Sequence, residues 1–267
     1  MTPKLNNISE EWFIRKAEEY RRRQEEARRE EARREEAEAR RREAERLAKA
    51  NKPKDNPEAP KQEPTTTQAT LPNKDGFIYV PSINLYLSEE THFKGKRWNQ
   101  SHIETQKQGY TMPTISQFVE FLKYLRSDEG QSNVKNARII LNEIYEVRSP
   151  WRAEWLDALF EKQDDKMLIH YNHRINGTNL IAQNTEQLID YLAETKTPGI
   201  SLDNWLANSN KHGLPKSNCK KGNLYYWKPT NGNVARFDAS SVRANFGCDW
   251  DPDDRDVSLG VRFVASL

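Results

Sequence analysis

Cysteine is nearly missing from the 267-residue chain, which carries only Cys219 and Cys248. Two thiols cannot build a disulfide framework, and these lack the paired spacing of a zinc ribbon, so they read as reduced thiols. Long apolar runs are missing too. Nothing approaches the roughly 20 apolar residues that a membrane-crossing helix needs, and the start MTPKLNNISE lacks the apolar centre of a secretion signal. The expectation is a soluble, cytoplasmic protein with no membrane partner. An excess of one charge is also lacking, because 42 basic and 40 acidic residues leave a formal charge of +2. That balance removes the general electrostatic argument for nucleic acid.

A further shortage is local. From Pro229 to Leu267 there is no Lys, Glu, Gln or Met. One explanation is a loop region rich in Ser, Asp and Asn that avoids long polar side chains. Another is that these positions are written from a restricted codon set. An Asn codon AAC altered at its two adenines reaches Asp, Ser, Gly, Arg, Val and Tyr, but never Lys, Glu, Gln, Met or Trp. Trp250 is then the misfit.

What the chain does contain is unevenly spread. A mean hydropathy of −1.00 with 35% hydrophobic residues is too polar for one globule of this length. The polar excess lies in the first 74 residues. Asn7, Glu10 and Glu11 offer a helix start, and from Tyr20 to Ala50 nearly every residue is Arg, Glu or Ala. Glu precedes Arg by four at Glu18/Arg22, Glu25/Arg29, Glu30/Arg34 and Glu38/Arg42. Each pair stabilises a helix by about 0.2 to 0.5 kcal/mol. Residues 1–50 are therefore expected to hold a charged helix, about 60 Å long at 1.5 Å per residue if continuous from Ser9 to Ala50. The alanines drift off a heptad, which favours a free-standing helix over a coiled coil. Residues 51–74 hold five prolines, at 53, 57, 60, 64 and 72, and read as an extended Pro/Thr-rich linker.

At Asp75 the composition turns globular, and 75–267 is expected to be one domain. Phe77, Tyr79, Val80, Ile83, Leu85 and Leu87 suggest a hairpin turning near Pro81. Thr114 caps a helix whose apolar residues Ile115, Phe118, Val119, Leu122 and Leu125 recur three and four apart. A second helix is expected over Ala137 to Val147, closed by Pro150. Short strands are expected around Trp151 to Tyr171, and a short helix or turn at Gln187 to Leu192. Asp203 is expected to cap a turn through Trp205. Large aromatic residues, Trp151, Trp155, Trp205, Tyr225, Tyr226, Trp227 and Trp250, suit loops pinned by side chains. In the last segment, Val234, Phe237, Ala239, Ala244, Leu259 and Val261 alternate with polar residues at strand spacing.

Few residues invite catalysis. His170 and His173, in MLIHYNH, would point to opposite faces of a strand, so a structural role is favoured over metal ligation. No nucleophile elbow and no phosphate-cradling glycine loop is present. Asp249, Asp251, Asp253, Asp254 and Asp256 are spaced like a calcium loop, yet Asp254 stands where its glycine belongs and Gly260 where its Glu belongs. From Asp238 to Ser258, six Asp against two Arg give a local charge of −4, a surface that would draw a cationic patch on a partner.

The segment VARFDASSVRANFGCDWDPDDRDVSLGVR, preceded by GNLYYW, resembles the C-terminal variable region of target proteins of diversity-generating retroelements. The likeness extends over GFIYVPSINLYLS, TISQFVEFLKYL, PWRAEWLDA and KTPGISLDNWL, about Asp75 to Leu267. The resemblance implies an α+β, C-type-lectin-like fold of the formylglycine-generating-enzyme-like subgroup. It implies a variable region at about 229–262, rewritten by an error-prone reverse transcriptase acting at template adenines. The positions expected to be displayed are Asp238, Ser240, Val242, Arg243, Asn245, Asp249, Trp250, Asp251, Asp253, Asp254, Arg255, Asp256, Val257 and Ser258, with Trp250 as the anchor. Arg262 is expected to be a buried or capped cation holding the last strand. The function expected is non-enzymatic binding of a protein or other macromolecule, with no cofactor. The alternatives are a calcium-dependent carbohydrate-binding module and a helical scaffold or spacer protein.

Overall fold

The computed structural model describes residues 74–266; residues 1–73 and 267, and with them the expected charged helix and linker, lie outside the described residues. Strands β1 (Phe77–Val80) and β2 (Leu85–His92) form the expected antiparallel hairpin, with Asn84 taking the left-handed conformation at the turn. Helix α1 (Trp98–Lys107) follows. Helix α2 (Ile115–Arg126) then begins where the Thr114 hydroxyl accepts the Gln117 amide at 3.2 Å. The three-and-four spacing of α2 puts Ile115, Phe118, Val119, Leu122 and Leu125 on its buried side, and Phe121 joins them. Helices α3 (Asp128–Asn133) and α4 (Ala137–Tyr145) complete this layer.

The centre of the molecule is β3 (Arg152–Gln163). It pairs with the long antiparallel strands β4 (Lys166–Asn176) and β5 (Asn179–Gln187) through β4, and with two strands from the end of the chain. Strand β6 (Lys196–Ile200) leads to helix α5 (Leu202–Asn208), then β7 (Leu224–Trp227), β8 (Val234–Ala239), β9 (Ala244–Trp250) and β10 (Leu259–Ser266). The sheet runs β1-β2-β10-β3-β8-β9-β7-β6, with β4 and β5 branching from β3. The described residues thus form a mixed α/β structure of ten strands and five helices.

Three local expectations are corrected. The strands around Trp151 to Tyr171 are not short: β3 has 12 residues and β4 has 11. Gln187 to Leu192 is not helical. Gln187 ends β5, and beyond it the Leu188 and Leu192 amides donate to the Met167 and Pro215 carbonyls while both side chains are buried. The cap of α5 is Ser201, whose hydroxyl accepts the Asn204 amide at 3.2 Å; Asp203 lies in the first turn. A hydroxyl two residues upstream competes for the same orphan amides.

Alternation along the strands separates two cores. On one face, Leu156, Ala158 and Phe160 of β3, Ala235 and Phe237 of β8, and Phe246 and Cys248 of β9 pack with α2 and α4. On the other, Ala153, Trp155, Val234, Leu259, Val261 and Phe263 pack with Trp98 and Met112. Every residue of β8 is buried, on both faces of the strand. Indole and phenol groups pin the irregular segments: Trp205 Nε1 donates to the Gly213 carbonyl at 2.8 Å, Trp155 Nε1 to Lys96 at 3.1 Å, and the Tyr226 hydroxyl to Leu192 at 2.9 Å. Arg262 is the expected buried cation. It meets Glu154 at 3.0 Å and the Ser88 and Glu89 carbonyls at 2.6 Å each, so β10 is tied to both β2 and β3. No described helix is long and apolar enough to cross a membrane.

Candidate ligand pocket

Because side chains two apart on a strand share a face, Val234, Arg236 and Asp238 of β8 look away from the α2 core. Asn245 and Asp249 of β9 do the same. Between these two strands and Trp151 and Trp227 lies a pocket of about 410 Å³, lined also by Ser240, Arg243 and Trp250. Six of the positions expected to vary line it together: Asp238, Ser240, Arg243, Asn245, Asp249 and Trp250.

The wall is a connected polar array. Asp238 and Asn245 stand opposite one another across β8 and β9, and the Asn245 amide donates to Asp238 Oδ1 at 2.7 Å. Arg243 Nε donates to Asn245 Oδ1 at 3.0 Å while its guanidinium lies 4.7 Å over the Tyr225 ring. Arg236, 2% exposed, has its guanidinium 3.1 Å from the Trp250 ring centre and 4.8 Å from that of Trp151, and reaches Asp254 at 3.0 Å. Its Nε stands 3.5 Å from Asp238 Oδ2. Neither of those two atoms makes a well-formed hydrogen bond, and Trp250 Nε1 is likewise buried without an acceptor. Burial pushes the Asp238 carboxyl above its ordinary pKa, against the opposing pull of Arg236. Burial also raises Asp249.

The remaining expected positions are placed as follows. Val242, at the β8–β9 turn, and Val257 are 73% and 77% exposed. Asp251, Asp253 and Arg255 are exposed in the loop before β10, and Asp254, Asp256 and Ser258 are half-buried there. The expectation of one open exterior face is therefore corrected for Asp238 and Asn245. They are buried because β8 is covered on both sides, and they reach the ligand space only as the inner wall of a concave site. Trp250 is not a protruding anchor. It lies against Arg236, and Gly247 makes its room: a Cβ there would stand 2.2 Å from Trp250 Nε1.

The acidic surface is also weaker than the sum of charges implied. Asp254 is paired with Arg236 and Asp253 with Arg97 at 3.3 Å, both cations from outside the counted segment. Asp251 and Asp256 turn a carboxylate oxygen to the amides of Asp253 and Ser258, each at 2.8 Å. Among the described residues, the carboxylates of this loop do not come together as a set of three metal ligands.

Sequence reasoning missed Trp151, Trp227 and Arg236 as pocket residues. For Arg236 the signal was present, since it shares the strand face of Asp238. Trp151 and Trp227 come from β3's entry and the end of β7, and only the sheet order brings them alongside β8 and β9. Comparison with protein families, curated proteins and solved structures finds no match to this chain.

Proposed function

We propose that residues 75–267 are a non-enzymatic, C-type-lectin-like binding domain whose pocket wall is a variable region of the diversity-generating-retroelement type. The observation that carries this reading is the convergence of Asp238, Ser240, Arg243, Asn245, Asp249 and Trp250 on one concave site. They are among the positions that the resemblance to such variable regions implies. Three tryptophans give the pocket a rigid apolar lining, and Arg236 Nε, Asp238 Oδ2 and Trp250 Nε1 leave it polar atoms that lack well-formed internal bonds. Such a site suits a side chain projecting from a protein or other macromolecular ligand, with an apolar body and a polar end. Exposed Asp251 and Asp253 at the β9–β10 loop favour basic residues on the partner's rim.

The charged groups of the wall are held mainly by one another, which supports recognition over proton transfer. Trp250 lines this wall as well, although adenine-directed changes to AAC do not reach its codon.

The test is the DNA flanking the coding sequence. Expected is a near-copy of the codons for about 229–262, differing at adenines for the pocket and loop positions and unchanged for Val234, Phe237, Ala239 and Ala244, beside a reverse transcriptase gene. Finding no such repeat would overturn the retroelement origin.

A further inference from the structure

Three side chains far apart in sequence meet on the opposite side of β3 from the α2 core. His102 comes from the buried side of α1, which also carries Trp98, Ser101 and Thr105. Asp157 comes from mid-β3, and His173 from β4. His102 Nε2 stands 3.6 Å and His173 Nδ1 2.5 Å from the same oxygen, Asp157 Oδ1, and the three ligand atoms lie within 4.8 Å of one another. All three residues are buried.

Hydrogen bonding alone leaves this cluster incomplete. Neither ring nitrogen of His102 has a partner, although the residue is 0% exposed. Such an orphaned polar ring is a feature that native interiors avoid. The site is otherwise held firmly. The His173 amide donates to Asp157 Oδ2 at 2.9 Å, which fixes the carboxylate plane. Trp98 packs edge-on against both imidazoles, with ring centres 4.4 and 4.9 Å away, and its own Nε1 is locked to the Leu156 carbonyl at 2.9 Å.

We propose that His102, Asp157 and His173 form a buried site for a divalent first-row transition metal, with Zn²⁺ as the ion that fills it. Two imidazoles and one carboxylate are the donor set such ions take, whereas calcium takes oxygen alone. The ion would accept the unused lone pair of His102 and join α1 to β3 and β4. His173–Asp157 then changes from a hydrogen-bonded pair to two ligands of one ion. The carboxylate contact from the His173 amide serves as the outer-shell bond that orients a ligand. All three residues are buried, and none of them lines the ligand pocket.

The test uses the full chain, stripped by chelator and dialysed. Added Zn²⁺ is expected to bind at one equivalent and to raise Tm by roughly 5 °C at excess metal. Co²⁺ is expected to give visible ligand-field absorption that Zn²⁺ abolishes. His102→Gln is expected to lose both effects. His170→Ala, at a half-buried histidine beside Glu161 and outside the cluster, is expected to keep them. The site is overturned if the stripped wild-type chain takes up no zinc above buffer background. It is equally overturned if His102→Gln binds zinc as wild type does, or if His170→Ala alone abolishes binding. Should His102→Gln fail to fold, the wild-type titration and cobalt spectrum decide the question without it.

Discussion

Glu154 shows how one residue can fix several elements. Its carboxylate is fully buried, with Arg262 on one oxygen at 3.0 Å and Arg152 on the other at 2.5 Å. Glu154→Gln leaves two arginines under-compensated in the interior and is expected to cost about 3 to 5 kcal/mol in denaturant unfolding. The pH dependence follows from the same contacts. Burial pushes the Glu154 pKa up, but Arg262 and Arg152 outweigh it and hold it below the ordinary glutamate value. The stabilisation is therefore complete above the unfolded value of about 4.3 and is lost as pH falls through the lower folded value. Urea midpoints measured between neutral and acid pH are expected to fall more for wild type than for Glu154→Gln. The positions proposed to vary divide by burial in the same way. Asp238→Ala strips an acceptor from Asn245 and a carboxylate from Arg236, an expected loss of about 1 to 3 kcal/mol. Val242→Ser and Asp251→Ser, in open loops, are expected to stay within about 0.5 kcal/mol.

At the scale of single elements, legibility tracked how local the cause was. Helix α2 was readable because its cap, Thr114, and its apolar spacing lie within 12 consecutive residues; Thr114→Ala is expected to cost about 1 kcal/mol by thermal unfolding. The hairpin of β1 and β2 was readable for the same reason. Strand lengths for β3 and β4 were not, because tertiary pairing with β8, β10 and β5 extends them past their apolar stretches. Gly247 belongs to this scale too. Its missing side chain lets the Trp250 indole lie against β9. Gly247→Ala is expected to displace that indole from Arg236, seen as a changed tryptophan fluorescence spectrum with the fold retained.

For the whole molecule, the alternation in the last segment was legible, but not what its second face would meet. Period-two spacing says that Phe237 and Asp238 point opposite ways; it does not say that Trp155, Val261 and Phe263 wait on the far side to make a second core. That fact, set by sheet order, places Asp238 and Asn245 on the inner wall of a concave pocket. The meeting of His102 with residues on β3 and β4 was illegible for a related reason, as no periodicity links a helix near the start of the domain to two strands beyond it.

Strand order has one more implication. Strand β10 is the final element described, yet it sits inside the sheet, bridging β2 and β3, and it follows the segment proposed to be rewritten. A ribosome must therefore finish reading every altered codon before the sheet can close. A chain stopped at residue 258 is expected to be digested rapidly by protease where the full chain resists. Assembly of the domain then acts as a check on frame: under the proposed rewriting, any change that shifts or interrupts the message forfeits the keystone strand.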